Sequence, residues 1–333
     1  MTVSKVLNLA LQGGGAHGAF TWGVLDRLLE EPDIEIERIS GTSAGALNGA
    51  ALVTGYAHGG RAGARAQLAL LWNKVALAGL PMAFMLLPLR KPSFGLWDDA
   101  LPLISPYMAN PIGMAPLRHV LNSVVDFEAL RGAEGPALFV NAVNVGTGLN
   151  RVFGPPELSV EGLLASACAP LVFQAVQIEN EFYWDGSYGG NPMLWPLYEG
   201  KGEADIFMVE LTPLQRAETP TTAKNILNRI NEIASINGLV SELRQVDACN
   251  RLGASIRLHV LSLADEDSAS ATLEPSVKRS VGMILFESLR SRGRAACERW
   301  LGTNRRDLGI RSTADLQGKY LQPYNQSTFG TLT

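Results

Sequence analysis

The stretch Val6-Leu7-Asn8-Leu9-Ala10-Leu11-Gln12-Gly13-Gly14-Gly15-Ala16-His17-Gly18 decides the fold. Its first half is a short apolar run of the length of a buried strand, glycines follow at once, and residues 19–30 then place Trp22, Leu25 and Leu29 at helical spacing. Strand, glycine turn and helix in that order open an α/β fold. Two chemistries fit the turn. Read as Gly13-x-Gly15-x-x-Gly18 it satisfies a dinucleotide-binding fingerprint, with Glu35 and Glu37 near the place of a ribose-binding acid. That reading makes the chain a nicotinamide-dependent oxidoreductase. Read the other way, glycines without side chains let backbone N–H groups at a helix N-terminus point into a cavity and stabilise an oxyanion.

A second glycine cluster separates the two. After a short strand at residues 35–39 the chain reads Gly41-Thr42-Ser43-Ala44-Gly45 and enters a small-residue helix at 44–55. This is a Gly-x-Ser-x-Gly string in the strand–turn–helix setting of a nucleophile elbow. Such a turn strains its serine, so its neighbours must be tiny, and Gly41, Ala44 and Gly45 are. The serine hydroxyl is thereby presented at a helix N-terminus, where developing negative charge is favoured.

A serine nucleophile needs a base. The four histidines are His17, His58, His119 and His259. His259, on an alternating strand at 256–263, would complete a Ser-Asp-His order along the chain. The rival is a carboxylate: Tyr183-Trp184-Asp185-Gly186-Ser187-Tyr188-Gly189-Gly190-Asn191-Pro192 sets an aspartate at a strand end, with glycines that let the loop approach another.

These motifs together resemble the patatin-like phospholipase family, whose pattern is a Gly-Gly-Gly-x-Arg/Lys-Gly loop, a Gly-x-Ser-x-Gly elbow and a later Asp-Gly-Gly/Ala. They stand here as Gly13 to Gly18, Gly41 to Gly45 and Asp185 to Ser187, in that order, and Ser166-Ala167-Cys168-Ala169-Pro170 resembles a segment such proteins carry in between. The resemblance covers about residues 7–212. It implies Ser43 as nucleophile, Asp185 as base, and an oxyanion hole at Gly13, Gly14, Gly15, Ala16 and Gly18, with donor amides around Gly14, Gly15 and Ala16. It also implies two-step cleavage of acyl esters of phospholipids or related lipids, without cofactor or metal. A thioester or another acyl ester would suit the same groups. His17 stands where the family has Arg or Lys, and Ser187 where it has Gly or Ala.

The rest of the chain reads outward from these motifs. Helices are expected at 62–72, 117–124 and 160–167, strands at 137–143, 151–153 and 205–211, and a hairpin at 176–178 and 182–184. A long amphipathic helix covers 226–246, and a last helix 277–301. Alternating strands and helices give a mostly parallel sheet with helices on both faces, a three-layer α/β fold with a largely helical C-terminal extension at 213–333. Residues 75–116 hold seven prolines, too many for long regular elements, and read as a cap or lid of the 7–212 domain. Its apolar part, 75–89 with Phe94, Leu96 and Trp97 after it, would line a lipid pocket or meet a membrane surface.

Composition agrees with this picture. Of 333 residues 34 are glycine, with eleven of them in residues 1–60. Hydrophobic residues make up 47% and charged ones 18%, enough apolar material for a large core. A net charge of −4 without any Lys/Arg-rich run argues against a nucleic-acid partner. Cys168, Cys249 and Cys297 are odd in number and widely spaced, as in a reducing compartment. No run reads as a signal peptide or a membrane span, so the chain is expected in the cytoplasm, touching a membrane peripherally.

Overall fold

The computed structural model describes residues 4–85, 105–132, 134–216, 219–266 and 282–321. Strand β1 (Lys5–Leu11) leads through the glycine turn into α1 (Gly18–Leu28), and β2 (Ile34–Gly41) leads through the elbow into α2 (Ala44–Met85). Then come α3 (Pro106–Ala109), α4 (Ala115–Val124), α5 (Phe127–Arg131), β3 (Ala137–Asn144), β4 (Asn150–Phe153) and α6 (Val160–Ser166). The hairpin β5 (Val176–Ile178) and β6 (Glu181–Asp185) precedes β7 (Glu203–Glu210), α7 (Ala223–Arg251), β8 (Ser255–Ser262) and α8 (Met283–Asn304).

One eight-stranded sheet runs β5-β6-β3-β2-β1-β7-β8, with β4 also paired to β3. The run from β3 to β8 is parallel, and β4, β5 and β6 are antiparallel. This is the expected mostly parallel α/β sheet with helices around it. The alternation of strand side chains builds a core on each face. Leu7, Leu9, Leu11, Phe207 and Val209 join the core with α1, α2 and α8, whereas Ala10, Ile206 and Met208 join that with α7.

α2 contains the two helices expected at 44–55 and 62–72 as arms broken at Gly59 and Gly60, where Gly60 takes φ +57°. The second arm differs from expectation. It runs on to Met85 through Pro81 despite the prolines. A proline removes one backbone bond, and the arm is anchored below it by buried Ala64, Leu68, Leu71, Trp72 and Ala76. Most of the remaining lid expectation, including Phe94, Leu96 and Trp97, lies outside the described residues, as does the start of the helix expected at 277.

α8 crosses α1 in backbone contact. A Cβ on Gly23 would fall 2.0 Å from the Arg290 carbonyl oxygen, and one on Gly293 2.1 Å from that of Phe20. Buried Asp26 fastens the same crossing, accepting from Arg65 at 2.7 Å, Arg290 at 3.0 Å and Arg294 at 2.6 Å. Among the described residues no helix is long and apolar enough to cross a membrane.

Candidate active site

The parallel register sets the ends of β1 and β2 side by side, with Leu11 opposite Gly41. The turns that follow are therefore neighbours, and their contact is as close as backbones allow. A Cβ on Gly13 would lie 2.8 Å from Ser43 Cβ, and one on Gly18 2.6 Å from Ala44 Cβ. Within the elbow, a Cβ on Gly45 would lie 2.1 Å from the Leu11 carbonyl, and one on Gly41 2.7 Å from Gly45. The small residues predicted for the elbow are thus required by space.

Ser43 has φ +52°, a left-handed backbone that few residues other than glycine adopt. The surroundings hold it there. Thr42 N–H donates to Leu11 O at 3.1 Å, Gly45 N–H to Thr42 O at 2.8 Å, and Ser43 N–H to Ser166 Oγ at 2.9 Å. The 166–170 segment, noticed in the sequence without a task, thereby braces the strained residue. Ser43 itself is half-buried.

Asp185 ends β6 level with Ala142, two residues past the Val140 that faces Gly41. Across β3 it stands level with the turn that follows β2, near enough for the Ser43 hydroxyl to act on its carboxyl. Its Oδ1 also accepts the Ser187 N–H at 2.9 Å, a turn that small Ser187 leaves intact. Burial pushes the Asp185 carboxyl above the ordinary carboxylate range, and Ser187 and the nearby Ser43 hydroxyl pull it down only in part. Beside it, burial and then the Asp185 charge push the Cys168 thiol up to about 12.

Two of the five positions expected to form the oxyanion hole have their amides engaged elsewhere. Gly13 N–H is already spent on Asn191 Oδ1 at 2.6 Å, and Gly18 N–H turns back to Gly15 O. Both glycines serve by lacking a side chain against the elbow. No hydrogen bond among the described residues engages the amides of Gly14, Gly15 or Ala16. Gly15 is exposed, with φ +58°.

The structure draws no histidine to Ser43. His259 is buried on β8, three strands from β2 or about 14 Å at normal strand spacing. Its ring lies between Asp205 Oδ2 at 3.3 Å and Thr313 Oγ1 at 3.1 Å, with Trp300 edge-on. His58 pairs with Asp126 at 2.8 Å on the surface, His119 is exposed on α4, and His17 is buried at the start of α1. Nor do Glu35 and Glu37 suit a ribose. Both lie in the first half of β2, away from the glycine turn, and Glu37 bonds Lys201.

Sequence reasoning missed the buried amides that join the loops. Asn141 on β3 accepts from Thr42 Oγ1 at 2.5 Å and donates to Gly186 O at 3.1 Å and Gly190 O at 2.9 Å, tying the elbow to the Asp185 loop. Gln12 Oε1 accepts the N–H groups of Leu211 and Thr212, and Asn191 bonds Gly13. The available signal for Asn141 is one amide inside the apolar run Leu138-Phe139-Val140-Asn141-Ala142-Val143, since a buried polar group must find a partner.

The α/β fold and the family to which the chain belongs make it a lipid acyl hydrolase. The chain belongs to the patatin-like phospholipase family, whose model matches residues 9–198. Among solved structures it is similar to VipD from Legionella pneumophila at 14% identity and a TM-score of 0.42, covering 96% of this chain and 73% of that one. It is also similar to the ExoU–SpcU complex from the type III secretion system of Pseudomonas aeruginosa, at 19% identity and a TM-score of 0.33. That match covers 90% of this chain and 53% of the other, so the chain spans about half its length. No curated protein matches the chain.

Proposed function

We propose that the protein cleaves acyl esters of phospholipids or related lipids by two-step acyl transfer, with Ser43 as nucleophile and Asp185 as base. One observation carries the reading: a serine in a left-handed elbow stands within reach of a buried aspartate, beside a glycine turn whose Gly14, Gly15 and Ala16 amides are unengaged among the described residues. Asp185 takes the hydroxyl proton as Ser43 Oγ attacks the ester carbonyl. The amides of Gly14, Gly15 and Ala16 stabilise the tetrahedral oxyanion, and the alcohol leaves with the proton from Asp185. Water then attacks the acyl-serine with Asp185 again as base, releasing the fatty acid.

An ordinary aspartate is a weak base near neutrality. Burial raises the proton affinity of Asp185, which favours proton capture from Ser43. The family membership favours a lipid ester over a smaller one. Fluorophosphonate labelling with peptide mass spectrometry tests the assignment. The label is expected on Ser43 of the wild type, absent in Ser43→Ala and strongly slowed in Asp185→Asn. A label on another residue refutes it.

A further inference from the structure

Asn191 follows Asp185 by six residues, is 1% exposed, and takes no part in the chemistry above. Its side-chain amide uses both ends. Oδ1 accepts the Gly13 N–H at 2.6 Å, while Nδ2 donates to Gly13 O at 3.3 Å and to Ser235 Oγ at 2.9 Å. One planar group therefore grips both backbone polar atoms of the residue that opens the glycine turn, and is itself held by α7.

α7 lies beyond residues 9–198 that the family model matches. It splints the loop after Asp185 at two further points. A Cβ on Gly238 would lie 2.6 Å from Gly189 O, so helix and loop are in backbone contact. Glu242 Oε2 accepts the N–H groups of Leu194 at 2.6 Å and Trp195 at 3.0 Å. The Asp185 loop is thus fixed on α7, and Asn191 carries that fixation across to Gly13.

We infer that Asn191 is a positioning residue: it sets the open amides of Gly14, Gly15 and Ala16 against Ser43, with Ser235 on α7 as its outer anchor. This rests on the roles proposed above for Ser43 and those amides. The chemistry requires an amide, because the site asks for one acceptor and two donors on a short planar group. An aspartate offers only acceptors when ionised and would face the Gly13 carbonyl. An alanine leaves the buried Gly13 N–H without a partner and the turn free to shift. Displacing donors by about 1 Å costs on the order of 10²-fold in rate, and it weakens the oxyanion selectively because the ground-state ester depends little on them.

The test compares wild type, Asn191→Ala, Asn191→Asp, Ser235→Ala and Ser43→Ala on p-nitrophenyl butyrate, with a long-chain alkyl trifluoromethyl ketone as inhibitor. The ketone forms a charged hemiketal on Ser43 that reads the oxyanion donors. Both Asn191 variants are expected to lose about 10²-fold in kcat with KM unchanged, and to weaken the ketone by the same factor. Ser235→Ala shows the same signature at roughly a tenth of that size. The pH midpoint of the rate does not move, since Asp185 is untouched. Wild-type kcat and ketone affinity in folded Asn191→Ala, a loss confined to KM, or a shifted midpoint overturns the inference. If Asn191→Ala fails to fold, Ser235→Ala decides by the same criteria. Full activity of Ser43→Ala overturns the site reading itself, and is thereby distinguished from failure at Asn191.

Discussion

The backbone N–H of Ser43 donates to the hydroxyl of Ser166 at 2.9 Å, so the residue with the strained φ of +52° is held from the end of α6. Ser166 is fully buried, and its removal leaves that amide without a partner. A left-handed non-glycine residue stores about 1–3 kcal/mol, and this bond opposes its release.

Ser166→Ala is accordingly expected to lower unfolding stability by about 1–3 kcal/mol. As the elbow relaxes, kcat should also fall, by roughly tenfold for each 1.4 kcal/mol lost at the transition state. Urea titration and ester hydrolysis measure the two effects. Unchanged values for both would show that the elbow holds itself.

Asp185 links activity and stability with opposite signs. Its carboxyl is raised by burial, so activity is lost on acidification around a midpoint above the ordinary aspartate value of about 3.9. Raised in the folded state, it contributes stability that is present below its unfolded pKa and lost as pH rises through its folded one. Asp185→Asn should therefore be inactive yet melt higher than wild type at neutral pH, the advantage shrinking in acid. Melting curves at neutral and acid pH check the sign.

Two glycines of α8 should respond oppositely to alanine. Gly293 meets Phe20 O with no room for a Cβ, and Gly293→Ala is expected to cost about 3 kcal/mol or more, since a backbone oxygen cannot swing aside. Gly302 is exposed with nothing within 4 Å of its absent Cβ. Gly302→Ala should stabilise the helix by about 0.5–1 kcal/mol. Thermal unfolding of both variants separates close packing from helix propensity.

The three arginines on Asp26 make its ionisation a fastening of α1 to α2 and α8. Burial alone would raise its carboxyl, but Arg65, Arg294 and Arg290 outweigh burial and hold it below the usual range. That stability is present above the unfolded carboxylate pKa and lost as pH falls through the folded one. Asp26→Asn is expected to cost about 1.5–3 kcal/mol near neutrality, less than a fully buried pair because the arginines are 30–37% exposed and can rehydrate. The deficit against wild type should narrow in acid, as chemical denaturation at two pH values would show.

Much of the fold is legible in the sequence wherever one local pattern dictates one outcome. The apolar run of β1, the Gly41 to Gly45 turn and the Asp185-Gly186 strand end need only their neighbours to be read. Gly13 and Gly18 are legible as glycines but not as spacers. Which amides remain open depends on Asn191, 178 residues away along the chain. Asn141 and Gln12 are hidden for the same reason, because a buried amide's partners are set by the packing of whole strands. The Gly23 and Gly293 crossing has no local signature, since each glycine sits inside an ordinary helical pattern. Pro81 misleads in the other direction, for a single lost backbone bond does not end a helix anchored by five buried side chains below it.

With Ser43 as nucleophile, the acyl group of the substrate passes through its hydroxyl oxygen. Rapid quenching of the enzyme during turnover of a phosphatidylcholine carrying a single type of acyl chain, followed by peptide mass spectrometry, reads this directly. An adduct of that acyl mass is expected on the peptide containing Ser43, abolished in Ser43→Ala together with fatty-acid release. Fatty-acid release by Ser43→Ala at the wild-type rate, or an acyl adduct on a different residue, would contradict it.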